Sequence, residues 1–254
     1  SNGASRYNNA GEPTSSLDFW VINSLIPQCS SAKLRNDLIN ATGAVQVMAA
    51  GNDSHALIND TNSGCPNIKA IVVESTQPNS ELAPYSTRYD AEAVALYAYY
   101  GEVFQAAFGE GVVQPQSLIV RAPGGNTSEV IPGIDGQSGG VFSTWNCPTE
   151  SGSVSPTPYE NAGCYNYLQG TSMATPHVSG IIAMIYMLEP NANYDYVAKI
   201  LEKSKGPKGI LNARKVVENV IADQNNNSDN SNTDTGWSSV WSFLLTIVSF
   251  GQSN

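Results

Sequence analysis

The residues with the most chemistry to offer lie in one eleven-residue run, Gly170-Thr171-Ser172-Met173-Ala174-Thr175-Pro176-His177-Val178-Ser179-Gly180. Residues 172–188 are apolar almost throughout, which predicts a central helix buried nearly all round. A serine in the first turn of such a helix sits among N–H groups that lack intrahelical partners, at the positive end of the helix dipole. An oxyanion forming beside its Oγ would meet those donors, the serine's own N–H included. Gly170, Ala174 and Gly180 let substrate and neighbouring backbone approach, and Pro176 near the helix start gives up an N–H at little cost. A second run, Met48-Ala49-Ala50-Gly51-Asn52-Asp53, carries an apolar strand straight into Gly-Asn. In a parallel α/β sheet that is the ligand-binding end of a strand, and the Asn52 carboxamide is a neutral donor suited to a developing oxyanion.

The elements that must position these residues read as alternating strands and helices. Residues 19–23 (FWVIN) predict a short buried strand, and residues 30–42 a helix. That helix has Leu34, Leu38 and Ile39 at helical spacing, Ser30 or Ser31 as cap and Gly43 as stop. Residues 44–50, 68–73 and 117–120 predict further strands. Strand, helix and strand on short connections make a βαβ unit, so the expected fold class is α/β: a mostly parallel sheet with helices on both faces. Residues 89–108 predict a helix or a strand plus helix, and residues 124–170, dense in Gly, Ser, Pro and Asn, predict mostly turns. Two amphipathic helices, 194–204 and 212–221, close the domain. The expected organisation is one domain over 1–222, a polar linker over 223–236 and a short apolar tail over 237–254. The apolar run 237–250 is shorter than the roughly 18 residues a membrane helix needs, so it is no clear membrane segment.

Composition narrows the function classes. The net charge is −10 with only 12 Lys and Arg, which repels a phosphate backbone and argues against nucleic-acid binding. Hydrophobic residues at 41% support a packed core, while charged residues at 13% leave Asn, Ser, Thr and Gly to supply surface polarity. The four cysteines, Cys29, Cys65, Cys147 and Cys164, form no CxxC pair, and the two histidines, His55 and His177, complete no zinc site. An even count suggests two disulfides, for which three pairings exist.

The run from Gly170 to Gly180 resembles the nucleophile motif of the subtilisin-like serine proteases, the subtilases, almost letter for letter. Met48 to Asn52 resembles the same family's Ala-Ala-Gly-Asn segment. Further segments follow in the family's order: Val21 to Leu25 resembles the strand that flanks the substrate, Glu81 to Ser86 the Ala-Ser-Phe-Ser segment, Ala122-Pro123-Gly124 the Ala-Pro-Gly turn, Gly140 to Trp145 the Ser-Thr-Trp segment, and Leu211-Asn212-Ala213 the closing Leu-Asn-Ala helix. The likeness covers about residues 10–222 and departs at Ile26-Pro27, where family members continue with glycines. It implies peptide-bond hydrolysis through an acyl-enzyme on Ser172, with Asn52 as the oxyanion-hole side chain. It also implies substrate contacts from Ser24, Leu25, Gly51, Gly170 and Thr171. The resemblance favours Cys29–Cys65 and Cys147–Cys164 as the pairs, the second closing a loop worth about 3 kcal/mol in the chain-entropy model. Polypeptide substrates and secretion follow from the same likeness. No cofactor is required by the residues, no metal ligands can be named, and calcium is implied by the family alone.

A serine hydroxyl needs a base, and the base an orienting acid. In the subtilase order Asp and His precede Ser. No histidine precedes Asn52. His177 follows Ser172 by five residues on one helix, a net turn of about 140° that points the two side chains apart. His55 reads as a surface histidine, and Asp53, Asp60, Asp90 and Asp135 carry no motif for the triad acid. The expectation is therefore that Asp and His come from an N-terminal portion of the same protease upstream of this sequence, so that the subtilisin-like domain is incomplete at its N-terminus. The alternative is a catalytically dead subtilase-like binding or structural domain.

Overall fold

The computed structural model describes residues 26–57, 64–66, 68–108, 116–130, 138–144 and 165–228. Helix α1 (Ile26–Ala41) leads into strand β1 (Val47–Ala49), followed by β2 (Ile71–Thr76), α2 (Ala91–Tyr99), α3 (Gly101–Phe108) and β3 (Leu118–Pro123). Short strands β4 (Asn126–Val130), β5 (Ser138–Gly139), β6 (Val141–Thr144) and β7 (Tyr165–Leu168) precede the long helix α4 (Thr171–Leu188). Helices α5 (Tyr194–Lys203) and α6 (Ala213–Ser228) end the described chain.

The sheet order is β1-β2-β3 with both pairings parallel. Every residue of the middle strand β2 is buried. Its side chains alternate between two cores, as strand geometry requires. Val72 faces one core with Cys29, Ala32, Leu57, Cys65 and Tyr97. Ile71 and Val73 face the other with Val178, Ile182, Ile185 and residues of the two closing helices. Helices thus cover both faces, and the expected α/β class holds.

Helix α1 starts four residues earlier than its sequence signals predict. Pro27 occupies its first turn, where proline is tolerated, so the Ile26-Pro27 departure is a helix start. Ser30 lies inside the helix and donates back to the Ile26 carbonyl. The buried face also differs from the expectation: Cys29, Ala32 and Asn36 point inward, while Leu34 and Leu38 are 65% and 63% exposed. Two polar or covalent ties outweigh the leucines. Asn36 Nδ2 donates to the Lys69 carbonyl at 3.0 Å, and its Oδ1 accepts the Lys69 N–H at 3.0 Å. Cys29 is bonded to Cys65, across 36 residues of sequence, with both cysteines fully buried.

Closing a loop of that size is worth roughly 4 kcal/mol in the chain-entropy model. A Cys29→Ser, Cys65→Ser double variant should therefore unfold at a lower urea midpoint by about that amount of free energy, measured by denaturant titration with the slope compared to wild type. An unchanged midpoint would show that the bond does not hold α1 to the sheet. Cys147 and Cys164 lie outside the described residues.

Other differences have equally local causes. The segment 89–108 is two helices, the first capped by Asp90, whose side chain accepts from the Glu92 and Ala93 N–H groups. The turn-rich stretch contains two antiparallel pairs, β4 with β5 and β6 with β7. Helix α4 is not buried all round: Thr171, Ala174, Val178, Ile182, Ile185 and Leu188 form its buried stripe, and Met187 is 66% exposed. Helix α6 runs six residues past the expected domain end at 222, into the polar stretch. Asp223 pairs with Lys199 at 2.7 Å, and Gln224 Nε2 donates to the Leu188 carbonyl at 2.7 Å, anchoring that extra turn. The expected strand at 19–23 and the tail at 237–254 lie outside the described residues.

Candidate active site

The residues singled out by the sequence gather at the C-terminal edge of the parallel sheet, where open α/β sheets bind ligands. Strand β1 ends at Ala49 and runs into Gly51-Asn52, while β3 ends at Pro123 and runs into Gly124-Gly125. The first turn of α4 arrives at the same edge, since the Gly170 N–H donates to the Gly124 carbonyl at 3.0 Å.

Two glycines are required here. Gly170 caps α4 at φ 150°, a conformation that L side chains rarely adopt. Gly124 packs so closely that an added Cβ would lie 2.0 Å from Ser75 Oγ and 2.5 Å from the Gly170 carbonyl oxygen. The first turn of α4 can rest on the β3 loop only because Gly124 lacks a side chain there and Gly170 can hold its φ.

Thr171 ties this turn to the Gly-Asn loop, 119 residues away in sequence. Its backbone N–H donates to Asn52 Oδ1 at 2.9 Å, and its hydroxyl donates to the same oxygen at 3.0 Å. The Gly51 N–H donates in turn to Thr171 Oγ1 at 3.2 Å. A backbone N–H can only donate, so the Asn52 atom facing it is the oxygen. The Nδ2 donors of Asn52 are thereby turned away from Thr171, and no acceptor holds them among the described residues. Ser172, the next residue, is exposed. The Met173 and Ala174 N–H groups both bond the Gly170 carbonyl, whereas the Ser172 N–H has no acceptor among the described residues. The arrangement presents a hydroxyl, a backbone N–H and a carboxamide N–H at one helix N-terminus. Acyl transfer uses that set of groups.

Thr171, a substrate contact by the resemblance, is fully buried, and its hydroxyl donates to Asn52 Oδ1 and accepts from the Gly51 N–H. Pro176 is the sixth residue of α4, inside the helix, so its ring removes the bond that the Ser172 carbonyl would otherwise accept. His177 is exposed, with Nδ1 2.9 Å from the Met173 carbonyl of its own helix. His55 is half-buried, its Nδ1 3.1 Å from the Asp53 carbonyl. Asp90 is occupied as a helix cap. Ser24, Leu25, Asp60 and Asp135 lie outside the described residues. Among the described residues no group of three or more His, Cys, Asp or Glu side chains is placed to hold a metal ion.

The model of the subtilase family, peptidase S8, matches residues 22–238. The chain belongs to the subtilase family. Fervidolysin of Fervidobacterium pennivorans is 33% identical over 111 residues, which is 44% of this chain and 14% of fervidolysin. A protease of Pseudoalteromonas arctica superposes with a TM-score of 0.50 at 27% identity, covering 75% of this chain and 47% of that one. This subtilase chain thus spans less than half the length of either protein. No helix among its described residues is long and apolar enough to cross a membrane.

The serine and Gly-Asn motifs converge at one sheet edge, but neither motif signals the clamp that Thr171 closes on Asn52.

Proposed function

We propose that this chain carries the nucleophile and oxyanion hole of a serine endopeptidase. The observation that supports this most strongly is the pair of hydrogen bonds from Thr171 to Asn52 Oδ1, which leaves the Asn52 Nδ2 donors free next to the turn that carries Ser172. In the proposed reaction Ser172 Oγ attacks the scissile carbonyl and passes its proton to a histidine outside the described residues. The carbonyl oxygen becomes an anion held by Asn52 Nδ2–H and the Ser172 N–H. The C–N bond then breaks, the amine leaves with the proton, and an acyl group remains on Ser172. Water, deprotonated by the same histidine, attacks the acyl carbon; the bond to Ser172 Oγ breaks, the histidine returns its proton to that oxygen, and the peptide acid leaves.

The base and its aspartate belong to a further, N-terminal portion of the same protease in this reading. Ser24 and Leu25 flank the substrate, Gly51 and Gly170 border its carbonyl, and Cys147 pairs with Cys164. Polypeptides are the substrates and the protein is secreted.

An activated peptide ester tests the acyl-enzyme directly. The full-length protein should release a burst of alcohol equal to its active sites before a slower steady rate. A folded full-length protein that releases no alcohol above the uncatalysed rate would instead be a dead homologue, used for binding.

A further inference from the structure

Tyr85 makes contacts with both halves of the site, and neither motif includes it. Its backbone carbonyl accepts the Ser54 N–H at 3.0 Å, two residues past Asn52. Ser54 there holds a φ of 61°, so this loop is kept in a conformation it would not choose alone. The Tyr85 ring reaches the other half. Its hydroxyl lies 2.6 Å from the Gly125 carbonyl, 3.1 Å from the Gly124 carbonyl and 2.7 Å from Ser75 Oγ. The two carbonyls can only accept, so Tyr85 spends its single proton on them and takes its own hydrogen bond from Ser75. Gly124 is the residue whose carbonyl accepts the Gly170 N–H. One side chain therefore grips the turn on which the nucleophile helix rests, while its main chain holds the loop that presents Asn52.

We propose that the Tyr85 hydroxyl is a positioning group that sets the spacing between the Ser172 turn and the Asn52 loop through Gly124-Gly125, and so sharpens the fit to the anionic intermediate. The inference rests on the serine-peptidase reading above. Burial raises the Tyr85 pKa above the ordinary tyrosine value, against opposing hydrogen bonds from Ser75 and the Gly170 backbone, so the donor keeps its proton at neutral pH.

The test compares full-length wild type, Tyr85→Phe and Ser75→Ala on a peptide substrate and on a peptide boronate, a mimic of the tetrahedral intermediate. Tyr85→Phe should keep its KM and lose about tenfold in kcat, the order expected from one lost hydrogen bond to a packed carbonyl. Its boronate affinity should fall in parallel, while binding of a product-like peptide acid stays unchanged. Ser75→Ala keeps the tyrosine's own donations and should lose less. A thermal melt fixes the folded fraction to which each rate is referred. Wild-type kcat and boronate affinity in Tyr85→Phe would overturn the proposal and leave the peptidase reading intact. So would a loss that disappears once the rates are corrected for folded fraction. A folded wild type that neither turns over peptide nor binds boronate would overturn the peptidase reading, and this inference with it.

Discussion

Replacing Ser172 with alanine should abolish peptide hydrolysis without unfolding the protein. The expected fall in kcat is about 10⁶-fold, the loss that removing the nucleophile causes in subtilisin itself. The residue is exposed and its hydroxyl makes no hydrogen bond among the described residues, so the substitution removes no packing. Its neighbours carry the structural load. Thr171 is fully buried against the Gly-Asn loop, and Ala174 fills the core below. The melting temperature of Ser172→Ala should therefore match wild type within about a degree, because exposed substitutions away from caps and cores change stability by less than about 0.5 kcal/mol. Activity measured alongside a thermal melt checks both halves. Near-normal turnover in the variant would remove Ser172 from the mechanism.

Asn52→Leu should show a different pattern. Losing one oxyanion donor lowers kcat by about 10²–10³, the range seen for the corresponding donor in subtilisin, with little change in KM. Ground-state substrate does not yet carry the negative charge that this donor meets. Leucine removes the acceptor as well as the donor, leaving the Thr171 N–H and hydroxyl without their partner. Thr171 is fully buried, so the variant should also lose roughly 1–3 kcal/mol of stability. Asn52→Asp separates the two effects. It keeps the acceptor for Thr171 but supplies no donor, so it should keep more stability than Asn52→Leu while remaining just as slow. Steady-state kinetics at several substrate concentrations, paired with denaturant titrations, resolve these outcomes. A variant whose KM rises while kcat holds would show that Asn52 binds substrate and does not stabilise the intermediate.

Much of this architecture was legible because its signals are local. The parallel sheet follows from apolar runs separated by a helical stretch, and Gly-Asn after a strand points to the ligand-binding edge. The buried stripe of α4 was obscured by its sequence, in which small and apolar residues continue around the exposed face from Pro176 to Met187. The inward face of α1 was misread for a related reason. Two leucines outweigh one asparagine on any hydrophobic count, yet Asn36 meets the Lys69 backbone and Cys29 meets Cys65. Partners 33 and 36 residues distant leave no periodicity to read. The same holds for the Thr171 clamp on Asn52 and the Tyr85 grip on Gly125. Each depends on two loops converging at one sheet edge, and only the folded chain brings them together. The extra turn of α6 lies in a stretch whose composition reads as linker, and contacts from Asp223 and Gln224 anchor it to the domain.

The most direct measurement is to react the full-length protein with a fluorophosphonate, digest it, and locate the adduct by mass spectrometry. A single phosphonylated residue, Ser172, is expected, with labelling lost in Ser172→Ala and slowed in Asn52→Leu. An adduct on any other residue, or none on a folded protein that retains its aspartate and histidine, would contradict the assignment of Ser172 as the nucleophile of this subtilase.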